Sequence, residues 1–352
     1  MKNKTKILLM GTLLGIFLSG LVYFLFAQPS WKRQQIALQK SQERHQAALI
    51  EAIRKNGLVV RMSNLMETIN QELNQSPDRS LSEVTISRIA ALSTDLDIRP
   101  YYYFQADTLR DSSYSVERGQ LMWLLYQMQI DSHSFAKIKQ QSTFARADLA
   151  GKKLDSIDLS GAYLRGAHFK KASLVGAKFQ GADLRAANFW GANLYKADFR
   201  KASLHQADLS WASLHYSDFR EAVCRGSTMD AAQLNHADLR KAIMHNSSLE
   251  GAIFNQANLE EVRLFYTDLE GASFWKANMY KADVQHSYFY DTQFTEADLR
   301  EANFDRARVE DKNWLAQLSN WNAQGVEEIQ TRFQVEEDNS GRAKYRIRVL
   351  KK

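Results

Sequence analysis

From Phe144 to Val309 an apolar residue recurs at every fifth position, giving 34 consecutive five-residue units without an insertion. The series runs Phe144, Leu149, Leu154, Leu159, Leu164, Phe169 and onward, with Cys224, Val284 and Val309 its smallest members. Two residues before most centres stands a small residue, as at Ala162, Ala167, Ala172 and Ala177. Asp or Asn often lies between the two, as in Ala147-Asp148-Leu149 and Ala257-Asn258-Leu259, and Gly is common two residues after the centre, as at Gly161 and Gly181. A period of five matches neither the 3.6 of an α-helix nor the 2 of a flat strand. It matches short extended segments joined by corners, each unit turning one large and one small side chain inward. One such unit cannot bury a core alone, so the units must stack. The three prolines, Pro29, Pro77 and Pro100, all precede the repeat, as an unbroken hydrogen-bonded ladder requires.

The motif Ala-(Asp/Asn)-Leu-x-x resembles that of the pentapeptide-repeat family, and the likeness covers about half the chain. This resemblance implies a mainly β fold, a right-handed quadrilateral parallel β-helix with four units, or twenty residues, per coil. On that basis the repeat makes eight and a half coils, a rod roughly 40 Å long at ~4.8 Å per strand spacing. Lys152 and Ile157 depart from the small-residue rule in the first coil, where the preceding region is expected to cover an imperfect end. Val262, Thr267 and Thr292 are milder departures. After the repeat, Trp314, Leu315 and Leu318 read as a capping helix, since an open solenoid end would invite end-to-end association. Residues 332–337 and 344–350 read as a hairpin about the turn Asp338-Asn339-Ser340-Gly341.

Residues 7–27 carry no charge and are long enough for a transmembrane helix, with a basic segment at 1–6 and Trp31, Lys32 and Arg33 behind. The rival reading is a signal peptide cleaved near Ala27, against which stand its long apolar run and Leu25 where a small residue belongs. A short lysine-rich N-terminus is hard to translocate, so a single-pass anchor in a bacterial inner membrane with a periplasmic body is the expectation. Residues 28–140 read as a helical region. One helix stops at Asn56-Gly57, a second carries Met62, Leu65, Met66, Ile69 and Leu73, a third opens with a Ser80–Glu83 capping box, and a fourth follows Ser115. The solenoid then occupies 141–310 and the cap 311–352. Tyr101, Tyr102 and Tyr103 are a conceivable partner contact in the helical region.

Net charge is +6, but between Thr143 and Glu310 there are 21 basic and 22 acidic residues. The basic surplus therefore lies outside the repeat, which suits a membrane surface better than a nucleic-acid-binding core. No catalytic, cofactor or metal constellation emerges. The perfect register leaves no inserted loops to carry reactive groups. Cys224 falls on a core centre, and His215 with His236 and Tyr216 has no evident third ligand.

Reading every twentieth residue yields columns. Asp198, Asp218 and Asp238 run beside Arg200, Arg220 and Arg240, a self-compensating grid that reads as structural. Arg165, Arg185, His205, Arg225 and His245 form a column with mostly uncharged neighbours, continued by Phe265 and Tyr266. This is the preferred partner-binding surface. A third face is acidic at Asp230, Glu250 and Glu270, near Trp190 and Trp211. The fourth presents Tyr195, His215, Tyr216 and Trp275, the alternative partner-binding set. The expected function is a non-catalytic, membrane-anchored scaffold that binds a protein. Some pentapeptide-repeat proteins act on gyrase by resembling duplex DNA, and the alternative here is such a DNA-mimicking topoisomerase modulator. A nearly neutral rod argues against it.

Overall fold

The computed structural model describes residue 36 and residues 39–43, 56–96, 101–105, 108–112, 114–338 and 344–350. The expected membrane span at 7–27 and its basic flanks lie outside these. Among the described residues no helix is long and apolar enough to cross a membrane. The chain divides into two compact units, 1–61 and 62–352. In the first, residues 39–43 and 56–61 are helical. Asn56 and Gly57 are themselves helical, while residues 44–55 of the helix expected to end there lie outside the described residues.

The second unit opens with helical residues 62–75 (α1), which bury Met62, Leu65, Ile69 and Leu73. Helix α2 (Glu83–Asp95) starts at Ser82, whose side chain accepts from Thr85 N. The capping box at Ser80 and Glu83 is not formed. Glu72 of α1 instead accepts from Ser82 N, Ser82 Oγ and Thr85 Oγ1, so the acidic partner comes from the previous helix. The purely helical expectation for 28–140 also fails at Tyr101, Tyr102 and Tyr103. These lie in strand β1 (Tyr101–Gln105), paired antiparallel with β2 (Thr108–Ser112). A run of aromatics after Pro100 favours extended backbone. Helices α3 (Val116–Gln127) and α4 (Ser132–Gln141) follow, capped by Ser115 and Asp131.

From residue 148 to residue 283, isolated parallel bridges join each residue ending in 3 or 8 to the residue twenty further on, as in Asp148↔His168 and Ser173↔Asn193. Four bridges per twenty residues make a four-sided coil. Every centre from Phe144 to Val309 is buried, and so is every small position except Lys152. Between centre and small residue runs a tight turn, such as Ala147 N to Phe144 O, whose third residue has positive φ. This is the type II pattern, which favours Gly at that position. Yet only nine of the 33 corners from 146 to 306 are Gly, so the stack imposes the left-handed conformation on side chains that rarely adopt it. Inside, Phe169 and Phe189 stack at 4.8 Å, and Phe179, Phe199 and Phe219 form a second ladder at 5.0 and 4.7 Å.

Both ends are closed. Ser115 bridges Ala147 as an extra rung, and Gly119 of α3 lies so close that a Cβ would meet Asp148 O at 1.9 Å. Buried Arg118 donates to Ser93 O and Ala145 O, tying α2 and the first coil together. The exceptional Lys152 lies over the Trp123 ring of α3 at 4.8 Å, so the helix accommodates the unit's irregular residue. At the far end α5 (Trp314–Asn320) inserts Trp314 against Phe289, Phe294 and Phe304. A further helix, α6 (Val326–Arg332), enters from Gly325 in the left-handed region. Strands β3 (Tyr288–Phe289) and β4 (Arg308–Val309) of the last coils then continue into β6 (Tyr345–Val349) and β5 (Phe333–Glu337), in the order β3-β4-β6-β5. Asp338, whose side chain is 1% exposed, locks this hairpin through Arg308 at 3.2 Å and Arg346 at 3.6 Å.

Thr267 and Thr292 are accommodated because their hydroxyls donate to Met244 O and Leu269 O. They belong to a wider set of inward hydroxyls, among which Ser227, Ser247, Thr267 and Ser287 follow one another on successive coils. Each donates to a backbone carbonyl, which removes the penalty of burying a polar group.

Candidate functional site

Each coil presents four flat faces whose outward residues end in 3 and 5, or in 8 and 0. The Asp–Arg face is tightly paired. Arg200, Arg220, Arg240 and Arg300 each close a two-point ion pair on the Asp two residues earlier, with Nη2 to Oδ2 at 2.6 Å in all four. The same Asp accepts from the backbone N–H of its Arg. Arg200 and Arg220 also reach the next coil, at 3.6 Å from Asp218 and 3.5 Å from Asp238. Burial raises the Asp238 carboxyl, but its bonds from Arg240 outweigh that and hold it below the usual range.

The basic-column face has the same residue types in a different arrangement. Arg185 is paired with Asp183 at 2.6 Å, which holds the Asp183 carboxyl low. Arg165 and Arg225 are exposed, and among the described residues neither has an acidic group at ion-pair distance. His205 lies between Arg185 and Arg225, with Nδ1 2.9 Å from Ser203 Oγ. Burial and then the two guanidiniums push its pKa down. His245 accepts the backbone N–H of Phe265 at Nδ1, and burial followed by Arg225 and Arg263 lowers its pKa as well. Burial first, and the cationic neighbours after it, thus disfavour protonation of both imidazoles. Phe265 lies 4.7 Å from the His245 ring, while Tyr266 turns the corner, 54% exposed, and stacks on His286 at 4.4 Å. His286 and exposed Arg263 extend this end of the column.

The acidic face carries Asp208, Asp230, Glu250, Asp268 and Glu270, and its outward positions from 208 to 290 hold no Lys or Arg. Asp230 accepts from Ser248 Oγ and Glu250 N of the next coil. Trp190 lies beneath Lys170 and Lys171. The fourth face carries Tyr195, His215 and Trp275, with Tyr216 at its corner. His215 has Asn235 Nδ2 3.1 Å from Nδ1 and Gln233 Oε1 2.8 Å from Nε2, so both ring nitrogens have hydrogen-bond partners. His236 is instead stacked on Tyr216 at 4.6 Å. Among the described residues no group of three metal-ligating side chains exists. Cys224 is fully buried, and burial pushes its thiol up to about 12, far from the thiolate a nucleophile needs.

One column was legible in the sequence but not read. Lys201, Glu221, Lys241, Glu261, Lys281 and Glu301 alternate in sign along one corner. Three of its contacts fall within 3.8 Å. This corner neutralises itself as the Asp–Arg face does.

A family profile described as pentapeptide repeats matches the chain in eight copies, over residues 142–181, 177–215, 217–256, 257–295 and 277–311. No curated protein matches the chain. Among solved structures, the chain is similar to HetL, a pentapeptide repeat protein involved in heterocyst differentiation regulation from the cyanobacterium Nostoc. That match has 23% identity, covers 48% of this chain and 83% of the other, and has a TM-score of 0.27. A pentapeptide repeat protein of the Arabidopsis thaliana thylakoid lumen is 31% identical over 31% of this chain and 68% of its own, with a TM-score of 0.23. QnrB1, a plasmid-mediated fluoroquinolone resistance protein, is 20% identical over 49% of this chain and 97% of its own, with a TM-score of 0.30. The unbroken register, the twenty-residue coils and the eight matched repeats lead to one assignment: this chain belongs to the pentapeptide-repeat family.

Proposed function

We propose that this protein is a non-catalytic interaction scaffold, tethered to a membrane through residues 7–27, whose solenoid binds an acidic protein surface through the basic column. The observation that carries this is the contrast in pairing. Nearly every arginine on the Asp–Arg face is answered by its own aspartate, whereas Arg165 and Arg225 stand exposed without one. Column residues with no structural counter-charge gain from an anionic partner. Phe265 and Tyr266 add apolar contact at one end, as interfaces commonly do. A catalytic reading lacks support because Cys224 is buried and the ring nitrogens of His215 are occupied. A duplex-DNA mimic would need a strongly negative rod, and 21 basic residues stand against 22 acidic ones in the repeat.

The test is capture of partners from solubilised membranes by the full chain and by an Arg165→Glu, Arg225→Glu variant. Wild type retains an acidic protein that rising salt releases, and the variant loses it while melting at the same temperature. Capture of the same proteins by both would end the assignment to this face.

A further inference from the structure

We propose that the uncharged face and the Trp211 corner beside it form a binding platform for a neutral, extended polysaccharide with β-linked sugar rings. From Ser173 to Thr295 the outward positions of this face include Asn193, Tyr195, Ser213, His215, Gln233 and Asn235, and none of the fourteen is Asp, Glu, Lys or Arg. The corresponding fourteen positions of the Asp–Arg face, from Lys178 to Arg300, hold ten charges. Absence of charge over seven coils is therefore a local property and not one of the repeat. The face is flat and in register, since Ser173, Asn193, Ser213, Gln233, Ile253, Ser273 and Gln293 are bridged in one parallel series.

Trp211 borders this face. It is 64% exposed and holds φ +61, a conformation that is unfavourable for a bulky side chain. Its corner neighbours one coil before and one coil after are Gly191 and Ala231, so neither adjacent corner residue supplies a large side chain of its own. Among the described residues no ring or cation lies against it, unlike Trp190 and Trp275, which are covered by lysines. This indole contributes neither to the core nor to the corner's conformation, where Gly would be less strained.

An uncharged face selects its partner by desolvation. A protein surface would bring ions that find no counter-charge at these fourteen positions, the nearest cations being Lys196 and Lys276 at the opposite corner over Tyr195 and Trp275, and such ions are costly to bury. A polyol brings only hydroxyls, which amides and hydroxyls can satisfy, and apolar ring faces, which an open indole can cover. The outward positions repeat at the coil spacing, 5.0 and 5.2 Å in the Phe254–Phe274–Phe294 ladder beneath, comparable to the advance of an extended β-linked chain per sugar. On the other side of Trp211, Asp230 and Glu250 accept hydroxyl hydrogen bonds but repel anions. This selects a neutral polymer over an acidic one.

The test is retention of the full chain, in a detergent without a sugar headgroup, on insoluble cellulose and chitin, with affinity read by titration of cellohexaose and chitohexaose. Retention on at least one of the two, unaffected by high salt, is the expected result. Trp211→Gly weakens the affinity at least about tenfold without lowering the melting temperature, because Gly relieves the corner. Gln233→Glu with Asn235→Asp also weakens it. The Arg165→Glu, Arg225→Glu variant binds sugar as wild type does, so failure here is distinct from failure of the basic column. Failure to retain either glycan, release by salt, or unchanged affinity in Trp211→Gly would each overturn the proposal.

Discussion

The Asp–Arg face and the basic-column face are built on the same backbone, with arginines at equivalent turn positions, yet they differ in electrostatic character. The difference lies two residues upstream. Where Asp precedes Arg by two, the carboxylate accepts from both the backbone N–H and the guanidinium, and the pair becomes part of the turn. Arg165 and Arg225 follow Tyr163 and Val223 instead, and so have no carboxylate in their own pentapeptide, although Asp183 of the next coil feels the charge of Arg165. Arg185, preceded by Asp183, is the member of the column that behaves like the grid. Counting charges on a face is thus less informative than asking whether each one is answered within its own pentapeptide.

If that contrast is real, the grid is cooperative. Asp218→Ala removes the acceptor of Arg220 but leaves Arg220 beside Asp238, 3.5 Å away. Its cost is expected to be about 1 kcal/mol, modest because the pair is partly exposed. Replacing Asp198, Asp218 and Asp238 together leaves three stacked guanidiniums with none of these carboxylates. The triple loss should exceed the sum of the three single losses. Chemical denaturation of the single and triple variants decides it, and plain additivity would show that the inter-coil contacts contribute nothing.

Asp183→Ala sharpens the comparison from the other side. It frees Arg185, so the column gains an unanswered charge while the fold loses one surface pair. Stability should change by no more than about 0.5 kcal/mol. The salt concentration that elutes the protein from a cation exchanger should rise. An elution point equal to that of wild type would mean that Arg185 was already as available as Arg165 and Arg225.

How legible all this was in the sequence follows from what sets each feature. The inward positions were legible, because each from Phe144 to Val309 except Lys152 is buried where the period of five puts it. Four units per coil, and with it the columns at twenty-residue spacing, came from the family resemblance. Pairing within a column was less legible. Arg185 and Arg225 look alike at twenty-residue spacing and are told apart only by Asp183 and Val223. The caps were hardest. Ser82 replaces Ser80 as a helix cap because Glu72, a residue of another helix, supplies the acidic partner, and no local pattern foretells that. The hairpin at Tyr101–Ser112 was missed because the surrounding helical periodicities were carried across it.

Acidity separates the two faces at finer resolution. His205 and His245 have pKa values lowered from the ordinary 6.5, by burial and then by Arg225 with Arg185 or Arg263. In the unfolded chain they take up protons first as pH falls. Their contribution to stability is therefore complete above about pH 6.5 and is lost as pH falls through the folded values. Asp198 and Asp238 have pKa values below the ordinary 3.8, so their contribution persists until pH falls under that value and is lost through the lower folded ones. Within the upper window the column titrates and the grid does not. Wild type should melt slightly lower as pH falls below about 6.5, and His205→Gln with His245→Gln should flatten that slope. A remnant from His286, whose pKa is also lowered by burial and then by Arg306, should persist. Over the same range an acidic partner should bind wild type more tightly, because each new imidazolium joins a row already carrying Arg165 and Arg225, and the double variant should lose that gain. Identical pH profiles for the two proteins would show that the imidazoles are not coupled to the column.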